Sequence, residues 1–369
     1  MYMTSRRRFL RCGAAMAATM AAGTWSSIGY ANGSSAQVLI RVGVVHVAPV
    51  AEIGWTKQHS IAVEALQARF GDRIQISVVD NVFDPQHAEE VFRELAENGN
   101  HLIFGTSYVH GAAMHSVAPQ FPNVIFEQAS GIASLENLGT FDARYYEGGY
   151  VAGVAAGHMT QSGKVGFIAS FPVPDIINSA NALLLGAQRV RPDATCEAVF
   201  LETWFDLEKE AETANALMAQ GCDVIYSMTG TAASVHAVGE RGAWSIGYAS
   251  DMTDFAAGRQ LTAIVLDWSS VYEQAAQAVV AGDWQPQQRW SGLATGVITM
   301  APYNTAIPAE VRAELEQSEG DIASGALHPF AGELRDQQGE VRVAAGEVLA
   351  EADIRAMNWF VEGMIGTVD

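Results

Sequence analysis

Basic residues, cysteines and recognisable catalytic motifs are what this 369-residue chain has least of. Only 21 Lys and Arg stand against 41 Asp and Glu, a formal net charge of -20. Four of those basic residues (Arg6, Arg7, Arg8, Arg11) precede residue 31, where no acid occurs, so the remainder is more acidic still. Such a surface repels polyphosphate and anionic headgroups, which excludes nucleic acid as a partner and disfavours membrane binding. No run beyond the first thirty residues is long enough to span a bilayer, so no direct membrane insertion is expected.

Chemistry-bearing patterns are missing as well. Nucleophile elbows (Gly-x-Ser-x-Gly), dinucleotide fingerprints (Gly-x-Gly-x-x-Gly) and His-Glu-x-x-His do not occur. The segment from Gly157 to Lys164 has one residue too many for a phosphate loop, and Val165 stands where Ser or Thr would hold magnesium. It precedes an apolar run and reads as a turn. His110 and His115 are five apart, the wrong spacing for one helical face, and read as surface or capping residues. No cofactor, metal site or catalytic residue is expected, and the chain reads as a non-enzyme.

The first thirty residues read as an address. Ser5-Arg6-Arg7-Arg8-Phe9-Leu10-Arg11 precedes a mild Ala/Met/Gly run and small residues before Ala31. It resembles a twin-arginine export signal, with cleavage after Ala31 or as late as Ala36. Cys12 follows Arg11 and lacks the small-residue context of a lipid-modified cysteine. The expected location is the periplasm, exported, soluble and not lipid-anchored. Cys196 and Cys222 then remain in an oxidising compartment, where a bridge is a real alternative.

What is present is alternation. Apolar runs at Val38–Val45, Ile74–Val79, His101–Gly105, Val124–Phe126, Val165–Ala169, Ala198–Leu201, Val224–Tyr226 and Trp244–Tyr248 are short and β-branched. They suit strands buried on both faces. Between them lie helical stretches, among them Ala62–Phe70, Gly149–Met159 and Asn178–Arg191, with Asp84 and Asp206 as N-caps. At 49% hydrophobic content the chain has enough apolar material for two cores. The expected fold is α/β, two doubly wound parallel-sheet lobes with a hinged cleft at the strands' carboxyl ends. Lobe 1 is assigned 37–161 plus about 269–290, and lobe 2 162–268 plus C-terminal returning segments. In a sheet of order 2-1-3 the two cysteines sit about 10 Å apart, beyond disulfide reach, which favours free thiols.

Aromatics gather at those carboxyl ends. Trp55 follows the first strand, Ser107 and Tyr108 the third, and Phe171 the first strand of the second lobe. Trp204 and Phe205 end the next strand, and Trp268 lies at a crossover. Flat walls at a cleft stack flat ligands, about 1–3 kcal/mol per nucleobase contact. Glu127, Thr229, Asp251 and Asp267 accompany them. Asp251 reads equally as a helix N-cap before Met252, and Glu127 as a satisfied hinge residue.

These stretches resemble the basic membrane protein family of solute-binding proteins, which serve ABC importers and include purine nucleoside receptors. The likeness is carried by Gly54-Trp55, by Arg144 to Gly153, by Lys164 to Phe167, by Asn178 to Gly186, and by Thr203 to Asp206. Gly247 to Met252 and Met357 to Gly363 extend it. The resemblance implies a type I periplasmic-binding fold, an ABC permease as partner and a small-molecule ligand. Trp55 and Phe171 match positions that sandwich a base, and Asp251 matches an acid that contacts ligand. Leu266-Asp267-Trp268 stands where nucleoside receptors carry a Lys, so a free purine base, adenine first, is expected ahead of a nucleoside. Ligand sensing for a membrane receptor, or an extracytoplasmic enzyme acting on purines, are the alternative expectations.

Overall fold

The computed structural model describes residues 40–368; the export signal read over residues 1–31 lies outside the described residues. The first lobe runs β1 (Ile40–Val45), α1 (Trp55–Phe70), β2 (Ile74–Val79), α2 (Pro85–Glu97), β3 (Leu102–Gly105), α3 (Gly111–Val117), β4 (Ile125–Ala129) and β5 (Leu138–Ala143). The chain then enters the second lobe with α4 (Tyr145–Met159), β6 (Lys164–Ala169), α5 (Pro174–Val190), β7 (Thr195–Phe200) and α6 (Leu207–Ala219). β8 (Val224–Met228), α7 (Ala233–Glu240), β9 (Trp244–Ala249) and β10 (Gln260–Leu266) follow. α8 (Ser269–Ala281) returns to pack on α1, β11 (Gln288–Ser291) joins the first sheet, and β12 (Ile298–Met300) the second. After α9 (Ala309–Ser324) come β13 (Leu334–Arg335), β14 (Val341–Val343), α10 (Glu351–Arg355) and β15 (Met364–Ile365).

The first sheet has the order β11-β5-β4-β3-β1-β2 and every pairing is parallel. The second is β12-β10-β9-β8-β6-β7-β15, parallel except where β12 runs against β10. Each order reverses direction beside its first strand, which opens a crevice at the carboxyl ends of β1 and β6. Three passages link the lobes, after β5, after β10 and between β11 and β12. The doubly wound α/β architecture expected from alternation is the one observed.

Three stretches differ from the pattern reading. β5 went unread as a strand because Gly139, Thr140 and Asp142 interrupt its apolar residues, yet neighbours on both sides bury all of it. Residues 261–268, which read in the sequence as chain returning between two sheets, are β10 as far as Leu266, a full strand of the second sheet, and only Asp267 and Trp268 lead out of it. α4 packs on α5, β10 and β12, so the passage to the second lobe begins at Arg144, well before residue 161. The close fit of α4 to α5 explains the glycines: a Cβ at Gly153 would meet the Leu183 carbonyl, and one at Gly186 the Tyr150 carbonyl.

Asp84 and Asp206 do cap α2 and α6, accepting from His87 N and Lys209 N. Cys196 on β7 and Cys222 before β8 are free and buried, with β6 between their strands. Burial pushes the Cys222 thiol up to about 11, which leaves it unreactive at neutral pH. Among the described residues no helix is long and apolar enough to cross a membrane.

Candidate functional site

The first lobe presents one aromatic platform. Trp55 is the first residue of α1, placed there by Gly54, whose φ of 90° and ψ of -168° suit only glycine. Its indole Nε1 donates to the Thr106 carbonyl after β3 at 2.6 Å. The ring stands edge-on to His59 at 4.9 Å and to Trp268 at 5.7 Å, and Trp268 stacks on His59 at 5.5 Å. Trp268 is fully buried, also meeting Phe141 edge-on at 5.3 Å. It therefore backs the platform instead of forming an open wall of the cleft. His59 shares a hydrogen bond with the Tyr272 hydroxyl at 2.9 Å, and burial, then His46 and His110, hold its pKa well below the usual value. The shift favours the neutral imidazole. His59 Nε2, Trp268 Nε1 and Thr56 Oγ1 are buried polar atoms without a protein partner.

The second lobe presents another. Phe171, after β6, tilts against Trp204, after β7, at 5.3 Å between centroids. Phe205 lies over Gly230, where a Cβ would strike its ring. Thr229, which precedes Gly230, is buried, its hydroxyl 3.2 Å from Ser227 Oγ. Trp55 and Phe171 thus stand on different lobes, each with an aromatic neighbour.

The lobes touch beside Trp55. Gly54 N and Gln58 Nε2 of the first lobe donate to Ser250 Oγ of the second, at 2.8 and 2.7 Å. Ile53 packs there on Val235, Met252 and Ala256.

Several expected ligand contacts have other work. Glu127 is buried on β4, ion-paired with Arg289 at 2.6 Å and accepting from Trp284 Nε1 at 2.8 Å. It lies in the middle of β4, not at a passage between lobes, so neither a ligand contact nor the hinge role offered as its alternative describes its surroundings. Asp267 accepts from Ser269 N, the first residue of α8, at 2.9 Å, and Ser107 accepts from Val109 N at 3.3 Å. Tyr108 is 62% exposed on the rim. Asp251 Oδ1 accepts from Thr253 N, Thr253 Oγ1 and Gln260 Nε2 at 3.0, 2.6 and 2.7 Å. Partial burial opposes its ionisation, but these bonds outweigh it and lower the pKa. Asp251 builds the turn that follows β9. His110 corrects the surface reading: it is buried, bonded to the Val82 carbonyl at 2.8 Å, and burial lowers its pKa to about 4.

Sequence reasoning missed His59, one helical turn after Trp55, because a lone histidine in a polar stretch gives no periodic signal. It also missed a pair of carboxylates at the passage between lobes, Asp142 buried and Asp175 half-buried. Asp142, next to last in β5, and Asp175, in the first turn of α5, affect each other's ionisation beside Tyr145 and Tyr248. Burial and the Asp175 charge raise the Asp142 pKa well above the carboxylate range, and burial raises that of Asp175. The folded pair retains a proton that the unfolded chain releases, so stability falls as pH rises above about 4. Asp142→Asn keeps an oxygen for Ala143 N and the Tyr145 hydroxyl, and offers Asp175 an amide donor. The variant is expected to melt above the wild type at pH 8, with the gap closing toward pH 4.5. A gap that does not change with pH in thermal scans would show that the pair shares no proton.

The model for ABC transporter substrate-binding proteins of the PnrA-like type matches residues 39–324. A purine-binding protein of Brucella abortus is 38% identical over 329 residues, 89% of this chain and 94% of that one. A Haloferax volcanii protein named for glucose binding in an ABC transporter is 30% identical over 337 residues, covering 91% and 83% of the two chains. Among solved structures, an ABC solute-binding protein of Conexibacter woesei aligns at a TM-score of 0.67 and 22% identity, covering 78% of this chain and 98% of that one. That likeness bears on the fold alone.

Proposed function

We propose that this chain, which belongs to the PnrA-like family of ABC transporter substrate-binding proteins, captures a free purine base, adenine first, between its two lobes. The observation that carries the reading is the pair of aromatic groups, Trp55 on one lobe and Phe171 with Trp204 on the other. Two flat faces approaching from opposite lobes gain stacking energy only when both engage one ring, so a flat ligand favours the closed form. Thr229 and the unpartnered atoms of Thr56 and His59 are the candidates for fixing the ring in its plane. Asp251 acts in this reading by shaping the turn beside the cleft.

The protein would deliver its ligand to an ABC permease and change no bond in it. The resemblance of residues 5–11 to a twin-arginine export signal, and the Arg11 that precedes Cys12, support a periplasmic location without a lipid anchor. Calorimetry against adenine, guanine, hypoxanthine, xanthine, their nucleosides and nucleotides, and glucose tests the ligand. A purine base should bind with micromolar or better affinity, and nucleotides worst because the surface is acidic. Binding of glucose with no purine binding would overturn the aromatic argument in favour of the reading suggested by the Haloferax relative's name.

A further inference from the structure

We propose that Ser250 is an interlobe clasp, a positioning residue that sets the balance between open and closed forms through the opposite lobe's backbone. The inference rests on the reading that the cleft between the lobes is where ligand is held.

Ser250 Oγ receives two donors from the first lobe, Gly54 N at 2.8 Å and Gln58 Nε2 at 2.7 Å. A hydroxyl oxygen has two acceptor sites, so both are used. Ser250 is 3% exposed and Gln58 7%, which shields these bonds from water in the closed form. Ile53 seals them on the apolar patch of Val235, Met252 and Ala256. Opening the lobes must break both bonds and wet that patch together.

The backbone on each side is unusual in a way that suits a clasp. Gly54 holds a conformation open only to glycine, and it is this that aims its N–H across the cleft. On the other lobe Ala249 has a φ of 63°, uncommon for a residue with a Cβ, and Ser250 N folds back to the Tyr248 carbonyl at 2.8 Å. This tight turn lifts Ser250 off the end of β9 toward the first lobe. Strained turns of this kind persist where surrounding structure over-determines them, and they cluster at ligand clamps. Here the surrounding structure is Asp251, tied to Thr253 and Gln260, with Gln260 Oε1 also accepting from Met252 N at 3.1 Å. The acid that the sequence offered as a ligand contact is thereby the brace of the clasp. None of the three clasp groups carries a charge, so their contribution should persist in high salt.

The clasp adds closing free energy that owes nothing to the ligand. Losing it lowers the closed fraction, and the apparent affinity falls in proportion. The test uses Ser250→Ala, Gln58→Ala and the double variant of the full mature chain. Small-angle scattering is recorded without ligand, and adenine dissociation is followed by stopped flow. Ser250→Ala should enlarge the radius of gyration without ligand and speed adenine release about tenfold, the scale of one or two lost hydrogen bonds. Gln58→Ala should act in the same direction but less, because Gly54 N remains. The double variant should be no worse than Ser250→Ala alone, since both changes remove one shared contact. Unchanged dimensions and unchanged release in Ser250→Ala, or full additivity in the double variant, would overturn the clasp. If wild-type protein binds no purine, the ligand reading fails by itself and the scattering comparison decides the clasp.

Discussion

Replacing Trp55 by alanine is expected to weaken adenine binding by about 5- to 150-fold, the range of one lost base–aromatic stack. The loss should lie toward the upper end. Trp55 is rigidly held, its Nε1 bonded to the Thr106 carbonyl and its ring propped by His59 and Trp268. A prearranged ring gives up no rotamer freedom when ligand arrives, so most of the stacking energy appears as affinity. Phe171→Ala should fall in the same range and Trp204→Ala below it, because Trp204 is more exposed and meets the site through Phe171. Calorimetry on the three variants checks the ranking. Affinity within twofold of wild type in both Trp55→Ala and Phe171→Ala would mean that the aromatic groups do not hold the ligand.

The largest effect on stability is expected at Glu127. Its carboxylate is buried at 1% exposure between Arg289 and Trp284, although burial alone pushes its pKa upward. Glu127→Ala strands the Arg289 guanidinium in a half-closed site and leaves the Trp284 N–H without an acceptor. Removing one partner of a buried pair costs about 3–5 kcal/mol, which corresponds to a melting temperature lower by on the order of 10 °C. Glu127→Gln should lose less, because its amide oxygen still accepts from Trp284. Adenine affinity of the folded fraction should stay within about twofold of wild type, the range of a surface substitution's ±0.5 kcal/mol. A stable Glu127→Ala variant that no longer binds ligand would return this residue to the site.

The two outcomes separate residues that the sequence could only place at the same strand ends. In the sequence both Trp55 and Glu127 come after apolar runs of the first lobe; in the structure Trp55 opens α1, while Glu127 lies within β4 and is ion-paired with Arg289. Strand position is legible from an apolar run, because burial on both faces imposes it residue by residue. Which polar group finds which partner is not, since Arg289 and Trp284 come from a part of the chain about 160 residues away.

The same division holds for the whole protein. Local chemistry by itself determined the alternation of strands and helices, the caps at Asp84 and Asp206, the separation of Cys196 from Cys222, and the aromatic character of the strand ends. Each depends on residues close in sequence or on the regular spacing of a parallel sheet. Only the tertiary structure decided that Trp268 is buried behind Trp55, that Asp251 braces a turn, and that Asp142 meets Asp175. It alone set Ser250 against Gly54 and Gln58, whose numbers differ by almost two hundred. Most of these contacts join groups from different lobes or from a crossover, and every one depends on angstrom-scale geometry that no periodicity records.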